Sequence, residues 1–258
     1  MRTDYIIRII CYYVIGWILL LIGRVALIVL FLSGTEIAEH IGSVPLALCN
    51  MLRFDFQILS YIAVIPTLML ITASYIHISW VEKFLKWYYA IVYTLICILT
   101  IADLGFYKNF GEHLNVTFFD FFNEGPISLI QASWDEYPVV WILLAVALVF
   151  AIIFRFRIKP KNGKVKYARC IVWIIFVVVS MRGSVTEFPL QNEDIYVSPS
   201  KQVNDCVPNA IYLLKKAIKE KSKAFEKEDE VTILNRWGFN SEDEAWATLG
   251  KDNHSLFV

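Results

Sequence analysis

Long apolar stretches separated by short polar ones are the dominant pattern along this 258-residue chain. A helix needs about 20 apolar residues to cross the hydrocarbon core of a bilayer. Stretches that reach or approach this length predict five spanning helices, at about 5–31, 56–78, 84–107, 139–154 and 168–181. The fifth is short, but Arg169 and Arg182 flank it and their side chains can reach the two membrane surfaces. The pattern therefore predicts an all-α integral membrane protein, with a five-helix transmembrane bundle in residues 1–181.

The charges of the loops predict the orientation of this bundle, because cytoplasmic loops of membrane proteins carry an excess of Lys and Arg. Between the fourth and fifth predicted helices the charged residues are all basic, namely Arg155, Arg157, Lys159, Lys161, Lys164, Lys166 and Arg169. The loop between the third and fourth is acidic, with Glu112, Asp120, Glu124, Asp135 and Glu136 against Lys108. We expect a multi-pass protein whose N-terminus is cytoplasmic and whose residues after 181 are extracytoplasmic.

Amphipathic segments outside the predicted spans form two further features. Residues 182–258 are predicted to be an extracytoplasmic linker, with short helices at about 209–227 and 242–249. The first of these helices has lysines on one face, which fits either contact with anionic lipid or an ordinary solvated face. In the acidic outer loop, a phenylalanine cluster predicts either an interfacial or re-entrant element or packing against the bundle; it comprises Phe118, Phe119, Phe121 and Phe122.

Overall composition agrees with a membrane protein and excludes some other classes. Hydrophobic residues make up 57% of the chain, and the mean hydropathy is +0.55. The formal net charge is zero, so no nucleic-acid partner is expected. The histidines are isolated in sequence and predict no metal site. Five cysteines form no disulfide framework, although Cys49 and Cys206 could face an oxidising compartment and a bridge between them stays open.

Charged residues within or beside the apolar stretches are the candidate functional residues, because a charge in a spanning helix needs a partner. Arg24 and Asp103 lie at similar depths, ~24 Å along the first and third helices at ~1.5 Å per residue. Arg53 and Asp55 stand at the outer end of the second helix. We expect these four side chains to form one polar cluster. It would either bind a lipid headgroup or link the helices by salt bridges, with Arg24 paired to Asp103.

Short motifs at the outer ends of the predicted helices resemble those of a known family. They are Arg53-Phe54-Asp55 at the second helix, Asp103 with Tyr107 at the third, and Arg182-Gly183 directly after the fifth. With five spans and an external tail, the chain resembles the membrane part of the lipoteichoic acid synthase family. These enzymes are phosphoglycerol transferases with a sulfatase-like catalytic domain. The resemblance implies a location in the bacterial cytoplasmic membrane and adds Arg182 to the candidate headgroup-binding residues.

The same resemblance implies a role as the membrane anchor and linker of such an enzyme, with anionic phospholipid and a sulfatase-like domain as partners. The family's threonine nucleophile and its divalent metal, usually manganese, belong to the catalytic domain. Nothing similar to that domain precedes Val258, so we expect no catalytic residue and no cofactor in this chain. A stand-alone membrane binding or scaffold protein without enzymatic activity is the alternative.

Overall fold

The computed structural model describes residues 3–4, 6–75, 80–119, 131, 134, 136–156, 161–162, 167–184, 187–225, 237–239 and 244. The predicted helix at about 242–249 therefore lies largely outside the described residues, and so do Phe121 and Phe122, half of the phenylalanine cluster. Apart from a pair of two-residue antiparallel strands, β1 (Thr3–Asp4) and β2 (Lys161–Asn162), the regular structure of the described residues is helical. The predicted all-α class is confirmed at this level.

Eight α-helices are described. They are α1 (Ile6–Phe31), α2 (Gly34–Glu39), α3 (Val44–Tyr75), α4 (Val81–Phe110), α5 (Val139–Arg155), α6 (Tyr167–Arg182), α7 (Lys201–Asp205) and α8 (Ala210–Phe225). Single 3-10 turns occupy Ile41–Ser43 and Asn192–Ile195. Three stretches are long and apolar enough to cross a membrane, namely Ile6–Phe31, Ile41–Met69 and Val81–Phe110.

The second long helix differs most from its prediction. It was expected at about 56–78 but begins at Val44. Arg53 and Asp55 therefore lie inside the helix and not just before its first turn. Pro45 is compatible with this early start, because the first turn of a helix needs no backbone N–H from proline. The added turns bury apolar residues, Ala47, Met51 and Phe54, beside the polar Asn50 and Asp55, and this mixed face is not detected by a search for continuous apolar runs.

Close packing of α1 against α3 and α4 forms the centre of the bundle, with α6 against α3 and α5 against α4. Gly16 permits the close approach of α1, because a Cβ atom there would lie 2.7 Å from both Leu59 Cδ2 and Tyr93 Oη. Tyr93 donates a hydrogen bond to the Tyr12 carbonyl at 2.6 Å. On the other side, Trp173 Nε1 of α6 donates to Thr67 Oγ1 of α3 at 3.0 Å. Aromatic and polar contacts thus join α6 to the long helices.

The chain divides into two compact units, Met1–Lys215 and Lys216–Val258. The first unit continues well past the end of α6, so residues 182–215, which we predicted to be linker, fold together with the helices. The second unit contains the rest of α8, whose range Ala210–Phe225 agrees closely with the predicted 209–227.

Candidate functional site

The described residues of 183–209, here called the docked segment, cover the C-terminal ends of α1 and α4 and the N-terminal part of α3. They share one apolar cluster with these helices, comprising Leu27, Ala47, Met51, Phe54, Tyr107, Leu190, Ile195, Val203, Cys206, Val207 and Tyr212. Burying a side chain of this size stabilises a fold by about 1.5–3 kcal/mol. The docked segment is therefore a folded cap and not a flexible linker.

Arg24 of α1 is the most heavily bonded side chain beneath this cap. Its side chain donates to the carbonyl oxygens of Cys206 and Val207, the latter at 2.7 Å, and to Asp55 Oδ1 at 2.5 Å. Asp55 also accepts from Asn209 Nδ2 at 3.0 Å. Arg24 is 8% exposed and Asp55 is 1% exposed, and buried charges of this kind are stable only when paired and hydrogen-bonded. The pair links two helices to the docked segment.

Asp103 does not pair with Arg24, contrary to our expectation. Its carboxylate contacts His113 Nδ1 at 2.8 Å and accepts from the Leu114 backbone N–H at 2.9 Å. Arg24, Asp103 and His113 nevertheless line the same cavity, whose volume is about 30 Å³. The predicted pairing of Arg24 with Asp103 is therefore wrong. Asp55 of α3 is the carboxylate that pairs with Arg24. His113, which follows α4, is the side chain that pairs with Asp103.

Arg53 of α3 forms a second link to the docked segment. Its Nε donates to the Gly183 carbonyl at 2.8 Å, and its Nη1 contacts Asn50 Oδ1 at 2.7 Å and Asp194 Oδ1 at 3.2 Å. Asn50 in turn donates to the Asp194 carbonyl at 2.8 Å. The Arg53 side chain is 28% exposed, so it remains reachable from solvent, unlike Arg24.

Arg182, the last residue of α6, lies on the surface and donates to the Glu187 carbonyl at 2.6 Å. It directly precedes Gly183, whose carbonyl Arg53 holds. The predicted single cluster is thus resolved into a buried pair, Arg24 with Asp55, and the more exposed arginines Arg53 and Arg182. Asp103 belongs to a separate contact with His113.

Several residues that organise this site were missed by sequence reasoning. Asn204 accepts from the backbone N–H groups of Val197 and Ser198, both at 2.9 Å, and donates to the Ser198 carbonyl at 2.7 Å. Tyr107 donates to Asp205 Oδ2 at 2.9 Å. The signal that could have indicated a folded cap is the density of Asn, Asp, Ser and Pro in 192–209, which is typical of ordered turns.

Cys49 and Cys206 are both free thiols in the structure, so the bridge left open between them is not formed. Cys49 is exposed. Cys206 is buried, its Sγ contacts the Gln202 carbonyl, and burial raises the pKa of its thiol to about 12. The two cysteines therefore differ strongly in accessibility.

Within the part of the chain that the structure describes, no three His, Cys, Asp or Glu side chains come together as a metal site would require. Comparison with protein-family models, with curated proteins and with solved structures finds no match to this chain.

Proposed function

We propose that this chain is the membrane-anchor and linker portion of a lipoteichoic acid synthase-like enzyme of the bacterial cell envelope. Its role is to hold a sulfatase-like catalytic domain at a fixed position above the outer leaflet and to present lipid to it. The observation that carries this proposal is the docked segment, held to the bundle by Arg24 through the carbonyls of Cys206 and Val207. A flexible tether would need no such buried charge.

The proposed topology has five crossings, with the N-terminus in the cytoplasm and the docked segment outside. The helices α5 and α6, with 17 and 16 residues, are about 24–26 Å long at 1.5 Å per residue, somewhat shorter than the ~30 Å hydrocarbon core. Local thinning of the bilayer accommodates such a mismatch at modest cost. Their packing against α4 and α3 and the basic loop between them favour two further crossings.

Lipid presentation, in this proposal, is the task of Arg53 and Arg182. Both side chains are more accessible than Arg24, and both lie where α6 ends and the docked segment begins. A guanidinium matches the geometry of a phosphate group, and each Arg near a membrane surface contributes about 1 kcal/mol to the attraction of anionic lipid. Arg24 and Asp55 are excluded from this role because they are buried and paired.

Neutralising these two arginines is expected to reduce the preference of the protein for phosphatidylglycerol over phosphatidylcholine by about fivefold per arginine. The measurement is native mass spectrometry of lipid adducts on the Arg53→Gln and Arg182→Gln variants. Arg169→Gln, near the opposite end of α6, is the matched comparison: it shows what any arginine at a membrane surface contributes, and each outer variant should lower the preference further than it does. An unchanged preference in both outer variants would limit the chain to anchoring.

A fusion tests the anchoring role directly. The catalytic domain of a phosphoglycerol transferase, joined after Val258, is expected to restore glycerol-phosphate polymer in a bacterium that lacks its own synthase. The same domain on an unrelated single-helix anchor should be less active, because its position above the bilayer is then not fixed. Equal polymer from the two anchors, measured at equal membrane abundance, would argue for a stand-alone scaffold protein instead.

A further inference from the structure

His113 bridges the end of α4 and the docked segment with both of its ring nitrogens. Nδ1 lies 2.8 Å from Asp103 Oδ2, and Nε2 lies 2.8 Å from the backbone carbonyl oxygen of Asp205. The ring also lies against that of Tyr107, with centroids 4.9 Å apart. His113 therefore connects α4 to the end of α7 through two short polar contacts.

The two groups that His113 contacts, a carboxylate and a backbone carbonyl, determine how many protons the contact needs. A backbone carbonyl can only accept, so Nε2 must carry a proton. A neutral imidazole then has a bare Nδ1, which cannot donate to an ionised carboxylate. The contact with Asp103 thus requires one additional proton, either on Nδ1 or on the carboxyl group. Asp103 Oδ1 accepts from the Leu114 N–H at 2.9 Å, so Oδ2 is the carboxylate oxygen that faces the ring.

We propose that Asp103 and His113 together form a proton-binding site, and that the bound proton holds the docked segment against α4. Losing this proton leaves Nδ1 and the carboxylate facing each other as two acceptors in a buried place. The two acceptor atoms then repel each other, and this repulsion weakens the contact through which His113 holds residues 201–206 against α4. The inference concerns the docking itself, so it goes beyond the proposed function and does not require a catalytic partner.

Other charged and titratable groups surround this site, and a test must separate His113 from them. They are Arg24 from α1, Tyr107 from α4, Glu112 from the following loop, and Lys201, Asp205 and Cys206 from the docked segment. The Glu112 and Lys201 side chains form an exposed pair at 3.9 Å. Variants of His113 itself isolate its contribution from theirs.

The electrostatics of the site agree with proton binding. Burial lowers the pKa of His113, but the hydrogen bond to Asp103, the charge of Asp103 and the contacts with Asp205 outweigh it, so the pKa is raised above the usual 6.5. A histidine whose pKa rises on folding stabilises the fold fully below its unfolded pKa, about 6.5, and this stabilisation is lost as the pH rises through the folded pKa. Docking should therefore weaken toward alkaline pH.

Cys206 provides a natural reporter of undocking, because it is 2% exposed while Cys49 is exposed. The purified full chain in lipid nanodiscs is treated with iodoacetamide between pH 6 and pH 9, and each site is quantified by mass spectrometry. The ratio of Cys206 to Cys49 labelling removes the ordinary increase of thiolate with pH. We expect this ratio to rise by up to about tenfold per pH unit between the unfolded pKa of about 6.5 and the raised, folded pKa of His113, and to level off above the folded pKa.

The variants His113→Gln and His113→Asn carry no titrating ring, so their labelling ratios should stay flat across the range, whatever their level. His40→Gln, at the residue that caps the C-terminal end of α2, is the matched control and should keep the rise of the unaltered chain. A flat ratio in the unaltered chain would overturn the proposal even if both His113 variants fail to fold. A rise that persists in either His113 variant would overturn it as well, by assigning the proton to another group.

Discussion

Replacing Arg24 with leucine is expected to lower the free energy of unfolding by about 3–5 kcal/mol, the range for removing one partner of a buried ion pair. Asp55 is 1% exposed and would keep Asn209 as its described side-chain donor. The carbonyls of Cys206 and Val207 would lose their shared donor at the same time. Reversible unfolding in mixed detergent micelles measures the loss, and labelling of Cys206 reports whether the docked segment is released.

Two further variants show whether burial causes the effect. Arg53→Gln removes an arginine that is 28% exposed, and it should cost about 1 kcal/mol because a solvated charge pair contributes little. The double variant Arg24→Leu with Asp55→Leu should recover part of the loss, since two apolar side chains can replace a buried pair at little cost. If Arg24→Leu alone stays within about 1 kcal/mol of the unaltered chain, Arg24 is not the buried link described above.

The positions of the long apolar helices could be predicted, because each of them is a nearly continuous run of apolar residues in the sequence. The predicted range 5–31 agrees with α1, Ile6–Phe31, to within a residue. At α3 the prediction was late by twelve residues, since the turns from Val44 to Asp55 are amphipathic and only a partner reveals their buried side. A long run of apolar residues indicates a helix that lies in lipid. It does not indicate a mixed helix face that is buried by another part of the same chain.

The charged residues of the site could be identified from the sequence, but their partners could not. Arg24 and Asp55 were both candidates, whereas the main acceptors of Arg24 are the backbone carbonyls of Cys206 and Val207, about 180 residues away. Every residue has a carbonyl, so such acceptors leave no trace in a sequence pattern. The docked segment consequently had the appearance of a linker.

His113 illustrates the same difficulty at short range. It lies ten residues after Asp103, with the end of a helix and a turn between them. Gly111 makes that turn, with a φ of 66° in the left-handed region. Because no helical or strand period relates the two residues, His113 was interpreted as isolated. A glycine that ends a helix shortly before a histidine is the cue that a reversal of the chain brings the two side chains together.

Gly183→Ala is expected to destabilise the chain by about 2–5 kcal/mol, through two separate effects. Gly183 ends α6 with a φ of 68°, where an L-residue is strained by about 1–2 kcal/mol. A Cβ atom there would also lie 2.8 Å from Leu190 Cβ, an atom that moves only with its backbone. Such overpacking adds about 1–3 kcal/mol. The free energy of unfolding in mixed micelles measures the sum.

Gly111→Ala is the matched control, because Gly111 has nearly the same φ, 66°, but no atom lies within 4 Å of its added Cβ. It should show the backbone strain alone, about 1–2 kcal/mol. The difference between the two variants therefore measures how tightly Leu190 and the docked segment are held against the end of α6. Equal losses of stability in the two variants would mean that Leu190 and the docked segment move away from the added Cβ atom at no cost. A segment that moves so easily could not fix the position of a domain joined to it.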